Sequence, residues 1–106
     1  MDGPVFAALA DPVRRSLLLN LAENSPKTAT QLAREYPITR QGILKHLTRL
    51  EAAGLVAVHQ QGREKCYSFT PEPLGELEQW LKDVSAKWDE RLLRLKTLLE
   101  HEEANS

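Results

Sequence analysis

The stretch from Thr28 to Gly54, TATQLAREYPITRQGILKHLTRLEAAG, decides the fold. Its opening, Thr28-Ala29-Thr30-Gln31, spells a capping box, in which the threonine side chain accepts a backbone amide and the glutamine side chain reaches back. The helix that starts there runs through Leu32 and Ala33 to Tyr36, and Pro37 ends it because the residue before a proline is pushed out of the α region. Thr39 then supplies a second N-cap, and Ile38 stands in the staple position relative to Ile43. Ile43, Leu44, Leu47 and Leu50 recur at helical spacing as one apolar face, and Gly54 stands where a C-terminal glycine belongs. Two helices joined by a tight turn are expected, the second with Arg40, Gln41 and Lys45 on the side opposite its apolar face.

Working outward, Val56 and Val58 and then Tyr67 and Phe69 alternate around a polar centre, Gln61-Gly62-Arg63-Glu64, which predicts a β-hairpin over 56–70. Upstream, residues 4–10 read as a short helix stopped by Asp11-Pro12, a good N-cap and first residue for the next one. That helix carries Leu17, Leu18, Leu21 and Ala22 at helical spacing and closes at Asn24-Ser25-Pro26. Downstream, residues 73–101 form one long helix, with the tail from Glu102 expected to fray. Leu74, Leu77, Leu81, Val84, Trp88, Leu92, Leu95 and Leu99 make its stripe, and Trp80 lies off it. The expected class is therefore mainly α with a small β-hairpin, in the order α-α-α-α-β-β-α. One domain spans residues 1–106, with a helix-turn-helix at 28–53, a wing at 56–70 and the long helix at 73–101.

At 106 residues the chain has the length of one domain, and its hydrophobic share of 42% and charged share of 27% are those of a globular protein. No apolar run is long enough to span a bilayer, and the N-terminus lacks the basic region and cleavage site of a signal peptide. A single cysteine excludes an internal disulfide framework and fits a reducing cytoplasm. The net charge of −1 divides unevenly, with nine Lys and Arg against six Asp and Glu in residues 1–70, and five against nine in residues 71–106. The first part thus carries +3 and the second −4, as expected if one end faces a polyanion.

In a helix-turn-helix the second helix enters the major groove, and its first residues touch base edges. Arg40 suits the O6/N7 pair of guanine and Gln41 the N6/N7 pair of adenine. The candidate DNA-binding set is Thr39, Arg40, Gln41, Lys45, His46 and Arg49 on the helix, with Arg63 and Lys65 on the wing. Arg14, Arg15, Lys27 and Arg34 are further candidates for phosphate. Gly42 costs this helix about 1 kcal/mol relative to alanine, and close approach to DNA is one feature that would offset it. The long helix has to bury its stripe, against the first helix and against the same helix of a second subunit. The step from Trp88 to Leu92 breaks a strict 3.5-residue register and favours ordinary helix packing over a coiled coil.

Phe6 to Leu18, FAALADPVRRSLL, resembles the opening of the arsenical-resistance-repressor (ArsR/SmtB) family of winged-helix regulators. Ile38 to Val56, ITRQGILKHLTRLEAAGLV, is similar to that family's recognition helix, and Gly62-Arg63-Glu64 with Tyr67 to its wing. The resemblance implies a homodimeric transcriptional repressor, reading an inverted repeat, with the first and last helices at the dimer interface. Val5, Phe6, Leu9, Leu77, Leu81, Val84, Trp88, Leu92 and Leu95 are the interface residues this implies. It also places His46 near the DNA backbone. Leu44 departs from the Ser or Ala often found there, so a hydroxyl contact at that position is absent. The run Trp80…Trp88-Asp89-Glu90-Arg91-Leu92 is similar to members often encoded beside START-like or heat-shock-activator-type proteins.

Many members of that family sense metals, through cysteines on the helix before the turn or through histidines and carboxylates on the last helix. Residues 28–36 contain no cysteine, and the last helix has only His101, with Glu102 and Glu103 beside it. The expectation is the metal-independent branch, with no metal and no cofactor. Strand alternation turns Cys66 and His59 away from the Tyr67 face. That leaves Cys66 partly exposed beside Arg63 and Lys65, and a thiol-sensing repressor stays open as an alternative. A winged helix that binds protein instead of DNA is a second alternative. No nucleophile–base set, paired carboxylates or glycine-rich phosphate loop supports an enzyme.

Overall fold

Ile43, Leu47 and Leu50 are wholly buried, and the rest of the fold is arranged around the helix face they form. The computed structural model describes the backbone of residues 3–105 and the side chains of residues 3–101, so the expectation resting on Met1 and Asp2 lies outside the described residues. The elements are α1 (Gly3–Leu9), α2 (Pro12–Glu23), β1 (Lys27–Thr28), α3 (Ala29–Ala33), α4 (Arg40–Ala52), β2 (Val56–Gln61), β3 (Glu64–Phe69) and α5 (Leu74–Asn105). The chain falls into two compact units, one ending at Gly75 and one beginning at Glu76.

In the first unit the caps form as their residues dictate. The Asp11 carboxylate accepts from the Arg14 amide at 3.0 Å, and Pro12 takes the first turn of α2. Thr28 and Gln31 make the reciprocal capping box of α3, at 3.1 and 2.8 Å. Thr39 Oγ1 accepts from the Gly42 amide at 3.1 Å and starts α4. At the other end of α4, Gly54 takes φ +75°. The Leu55 amide donates to Leu50 O and the Gly54 amide to Glu51 O, each at 2.9 Å, which is a Schellman closure. Helix α3 is shorter than expected: it ends at Ala33, and residues 34–39 form an irregular turn into α4.

The core holds Leu17 and Leu21 from α2, Leu32 from α3, Ile43, Leu47 and Leu50 from α4, and Leu55, all with no exposed surface. Burying each such side chain contributes about 1.5–3 kcal/mol. Ala8 of α1 and Val56 and Tyr67 of the strands close the cluster.

The sheet has three strands in the order β1-β3-β2, all antiparallel. Strands β2 and β3 pair from Val56↔Phe69 to Gln61↔Glu64, which leaves Gly62 and Arg63 as a two-residue turn. Gly62 takes φ +64° and Arg63 a negative φ, the signs of a type II′ turn. The additional strand β1 pairs Lys27 with Tyr67 and Thr28 with Cys66. It makes β3 the central strand and corrects the expectation for Cys66, which is buried at 5% exposure. The thiol sits between Thr28 and His59 on its flanking strands and reaches Gln61 Oε1 at 3.3 Å. His59 itself is exposed, as alternation predicts.

Helix α5, which from Glu76 on forms the second unit, is 32 residues and about 48 Å long at 1.5 Å per residue. It continues to Asn105, past the point where fraying was expected. Glu78–Lys82 at 3.1 Å and Lys96–Glu100 at 4.0 Å pair along it at i,i+4. Along the stripe, Leu81, Val84, Trp88, Leu92 and Leu95 are 45–58% exposed in the single chain. No helix among the described residues is long and apolar enough to cross a membrane.

Candidate nucleic-acid interface

Helix α4 presents three polar faces around its buried one. Gln41 and Lys45 occupy the outermost face and are exposed. Arg40, Leu44, Thr48 and Glu51, three or four residues apart, turn toward the wing. His46 and Arg49 lie on the opposite flank, toward α1 and the start of α2. Thr39 serves as the cap. The eight expected side chains therefore do not converge on a single point but distribute over the tip and both sides of one helix and the adjoining wing.

Between α4 and the wing lies a cleft of about 540 Å³. Leu44, Val58 and Tyr67 provide apolar surface in it, and Arg40, Arg63 and Lys65 bring cationic groups, with Glu51 and Glu64 also present. Arg40 is held there by its Nε, which donates to Thr30 Oγ1 of α3 at 3.1 Å, leaving the two terminal nitrogens as a fork. Burial pushes the Tyr67 phenol above its ordinary range, the Glu51 charge adds to this and Arg40 opposes it, so the phenol stays neutral. Thr30, Thr48 and Gln60 also line the cleft and were not singled out from sequence. Thr48 was within reach of the reading, because it lies eight residues after Arg40 on the same helix face. Thr30 and Gln60 depend on the docking of α3 and the sheet against α4, which no local spacing encodes.

Gly42 has a different reason from the one its helix cost suggested. A Cβ built on it would lie 2.5 Å from Ile38 Cγ2, so the residue is small because Ile38 packs against it.

On the other flank, His46 Nδ1 lies 3.8 Å from Asp11 Oδ2. The Arg14 amide bond holds the Asp11 carboxyl below its ordinary range; desolvation opposes it, and the nearby imidazole and the Arg14 charge add smaller lowering effects. Arg49 borders a shallow hollow of about 150 Å³ with Pro4, Ala7 and Ala8 of α1.

Three of the four further phosphate candidates have structural partners. Arg14 donates to Ala8 O at 2.6 Å and Ala7 O at 2.8 Å, and Arg15 to Leu9 O at 2.7 Å. Both arginines thus close the C-terminus of α1. Lys27 donates to Asn20 Oδ1 at 2.7 Å and pairs with Glu35 at 3.1 Å, tying β1 and α2 to the end of α3. Arg34, at the C-cap of α3, is exposed. Among the described residues no three His, Cys, Asp or Glu side chains gather as a metal-ligand set.

Comparison with known proteins agrees with this geometry. A helix-turn-helix domain family matches residues 9–59. A helix-turn-helix-type transcriptional regulator of Bacillus subtilis, YuzN, is 38% identical, over 74% of this chain and 92% of its own length. The transcriptional repressor SdpR of the same organism is 31% identical, over 83% of this chain and 97% of its own. An ArsR-like transcriptional regulator from Rhodococcus sp. RHA1 superimposes with a TM-score of 0.79 at 38% identity, covering 92% of this chain and 88% of that one. With its helix-turn-helix, three-stranded wing sheet and long final helix, this chain belongs to the ArsR family of winged helix-turn-helix, DNA-binding transcriptional regulators.

Proposed function

We propose that the chain is a homodimeric repressor in the cytoplasm that reads an inverted repeat in duplex DNA and belongs to the metal-independent branch of its family. The observation that carries this reading is the exposed tip of α4, Gln41 and Lys45, flanked on the wing side by Arg40, Arg63 and Lys65. A helix about 10–12 Å across fills a major groove about 12 Å wide, so the first residues of α4 meet base edges and the flanks beyond them meet phosphate walls. In that docking Arg40, with its fork free of Thr30, and Gln41 read bases. Lys45 reaches the groove edge, Thr39 sets the start of the helix, and His46 and Arg49 face one backbone. Arg63 and Lys65 reach the other backbone or the adjoining minor groove.

The exposed stripe of α5 supports the dimer. Leu77, Leu81, Val84, Trp88, Leu92 and Leu95 present a continuous apolar face whose natural cover is its own symmetry mate, and Val5, Phe6 and Leu9 of α1 are the other residues proposed for the interface between protomers. A two-fold dimer sets two reading helices about one DNA turn apart, roughly 34–36 Å. The reading asks for no catalysis, and no enzymatic role is assigned. Burial of Cys66 in the central strand weighs against the thiol-sensing alternative.

Selection from a random duplex library tests the proposal. A two-fold symmetric motif with half-sites one turn apart supports it. Failure to enrich any sequence, with the chain capturing protein instead, overturns it in favour of a protein-binding winged helix.

A further inference from the structure

Asp11 lies outside the DNA-facing surface, yet it is the residue that meets the reading helix from the α1–α2 junction. Its Oδ2 accepts the Arg14 amide at 3.0 Å as the cap of α2 and stands 3.8 Å from His46 Nδ1 on α4. Both side chains are half-buried, at 32% and 23% exposure. Arg14 in turn holds the last carbonyls of α1, so one short chain of polar contacts joins α1, the start of α2 and α4. The ring of His46 has Nδ1 within ion-pair range of Asp11 but beyond hydrogen-bond distance, and its Nε2 has no hydrogen-bond partner among the described residues.

Resting on the DNA reading above, we propose that Asp11 is a positioning residue that acts through His46, orienting the imidazole so that its Nε2 meets a backbone phosphate on the flank of α4 away from the wing. The ring turns one nitrogen to each side, Nδ1 to the Asp11 carboxylate and Nε2 to the phosphate. A carboxylate is needed for this, whereas capping α2 is not so demanding: asparagine caps a helix about as well as aspartate. The two roles of Asp11 can therefore be separated by one atom.

The test is a double-mutant cycle on the full-length protein, binding its selected duplex, with Asp11→Asn, His46→Gln and the pair. Asp11→Asn should keep a cooperative melt, with the midpoint lowered only by the loss of the cap's charge, while weakening binding by about tenfold per half-site, the scale of a lost hydrogen bond to a charged group. His46→Gln should weaken it similarly, and the double variant by no more than either single one. Both singles should lower the salt slope of binding by about one phosphate per half-site, which a loss of packing alone would not do. Asp11→Asn at wild-type affinity, or single losses that multiply in the double variant to about a hundredfold per half-site, overturn the proposal while leaving the DNA reading intact. If Asp11→Asn fails to fold, Asp11→Ser, another good cap without the charge, takes its place in the same cycle. A wild-type chain with no salt-dependent affinity for any duplex overturns the DNA reading, and this proposal with it.

Discussion

Replacing Gly42 with alanine sets two energies against each other at one position. In the interior of an exposed helix the change stabilises by about 1 kcal/mol, because glycine has more backbone freedom to lose on folding. Here the new methyl would lie 2.5 Å from Ile38 Cγ2, whereas carbon atoms rest at about 3.5–4.0 Å. Ile38 is packed against the core and cannot swing away without uncovering it. Overpacking of this kind costs about 1–3 kcal/mol, so Gly42→Ala should destabilise by about 1 kcal/mol net. For a domain of this size that lowers the melting midpoint by several degrees. Urea unfolding of wild type, Gly42→Ala, Ile38→Ala and the double variant measures this directly. In the Ile38→Ala background, where the obstructing methyl is gone and the Thr39 hydroxyl at 3.3 Å remains close, Gly42→Ala should turn stabilising by up to about 1 kcal/mol. A stabilising effect of Gly42→Ala in the wild-type background, accompanied by loss of DNA binding, would exclude packing by Ile38 as the cause and restore close approach to DNA.

Other expectations follow from the same geometry. Arg40→Ala should weaken operator binding by about 1–3 kcal/mol and relax preference at one base position, read by competition with single-base variants of the selected duplex. Arg63→Ala should weaken all sequences about equally, and a loss confined to one base would contradict a backbone contact. Trp88→Glu places a charge on the α5 stripe and should shift sedimentation toward monomer; an unchanged dimer would remove Trp88 from the interface. Glu35, through its hydrogen bonds from Asn20 and then Lys27, and Asp11, through the Arg14 amide, titrate below their ordinary values of 4.5 and 3.8. Each therefore stabilises the fold above those values and loses that effect as pH falls through its lowered one, so urea midpoints should drop on acidification less steeply in Glu35→Gln. Cys66, at 5% exposure, should react with a thiol reagent far more slowly in the folded protein than in urea.

Where local chemistry decides the conformation, the sequence is legible. The capping box at Thr28-Gln31, the Thr39 cap, the αL glycine at 54 and the two-residue turn at Gly62-Arg63 depend on residues within a few positions of one another, and all form. The short α3 and the strand β1 depend on partners distant in the chain. Lys27-Thr28 has no strand pattern of its own and becomes one only because Tyr67 and Cys66 offer a free edge. That one pairing also buries Cys66 and makes Thr28 and Thr30 part of the cleft wall. The reading helix was found by its apolar period, but the division of its polar side chains between two flanks required knowing what stands on each side. Arg14, Arg15 and Lys27 show the limit of charge counting. Composition marks them as cations facing a polyanion, and the fold uses them to close α1 and to hold α3.

If the tip and flanks of α4, together with the wing, bind the DNA backbone in a dimer, the affinity must depend on salt, and titrating the selected duplex at several salt concentrations reads that dependence. With Arg49, Arg63 and Lys65 of each protomer on phosphates, log affinity should fall against log salt with a slope of about −5, or about −7 with His46 of each protomer also engaged, a loss of at least about a thousandfold between 50 and 200 mM. A slope near zero, or the same weak affinity for every duplex at every salt concentration, would contradict it.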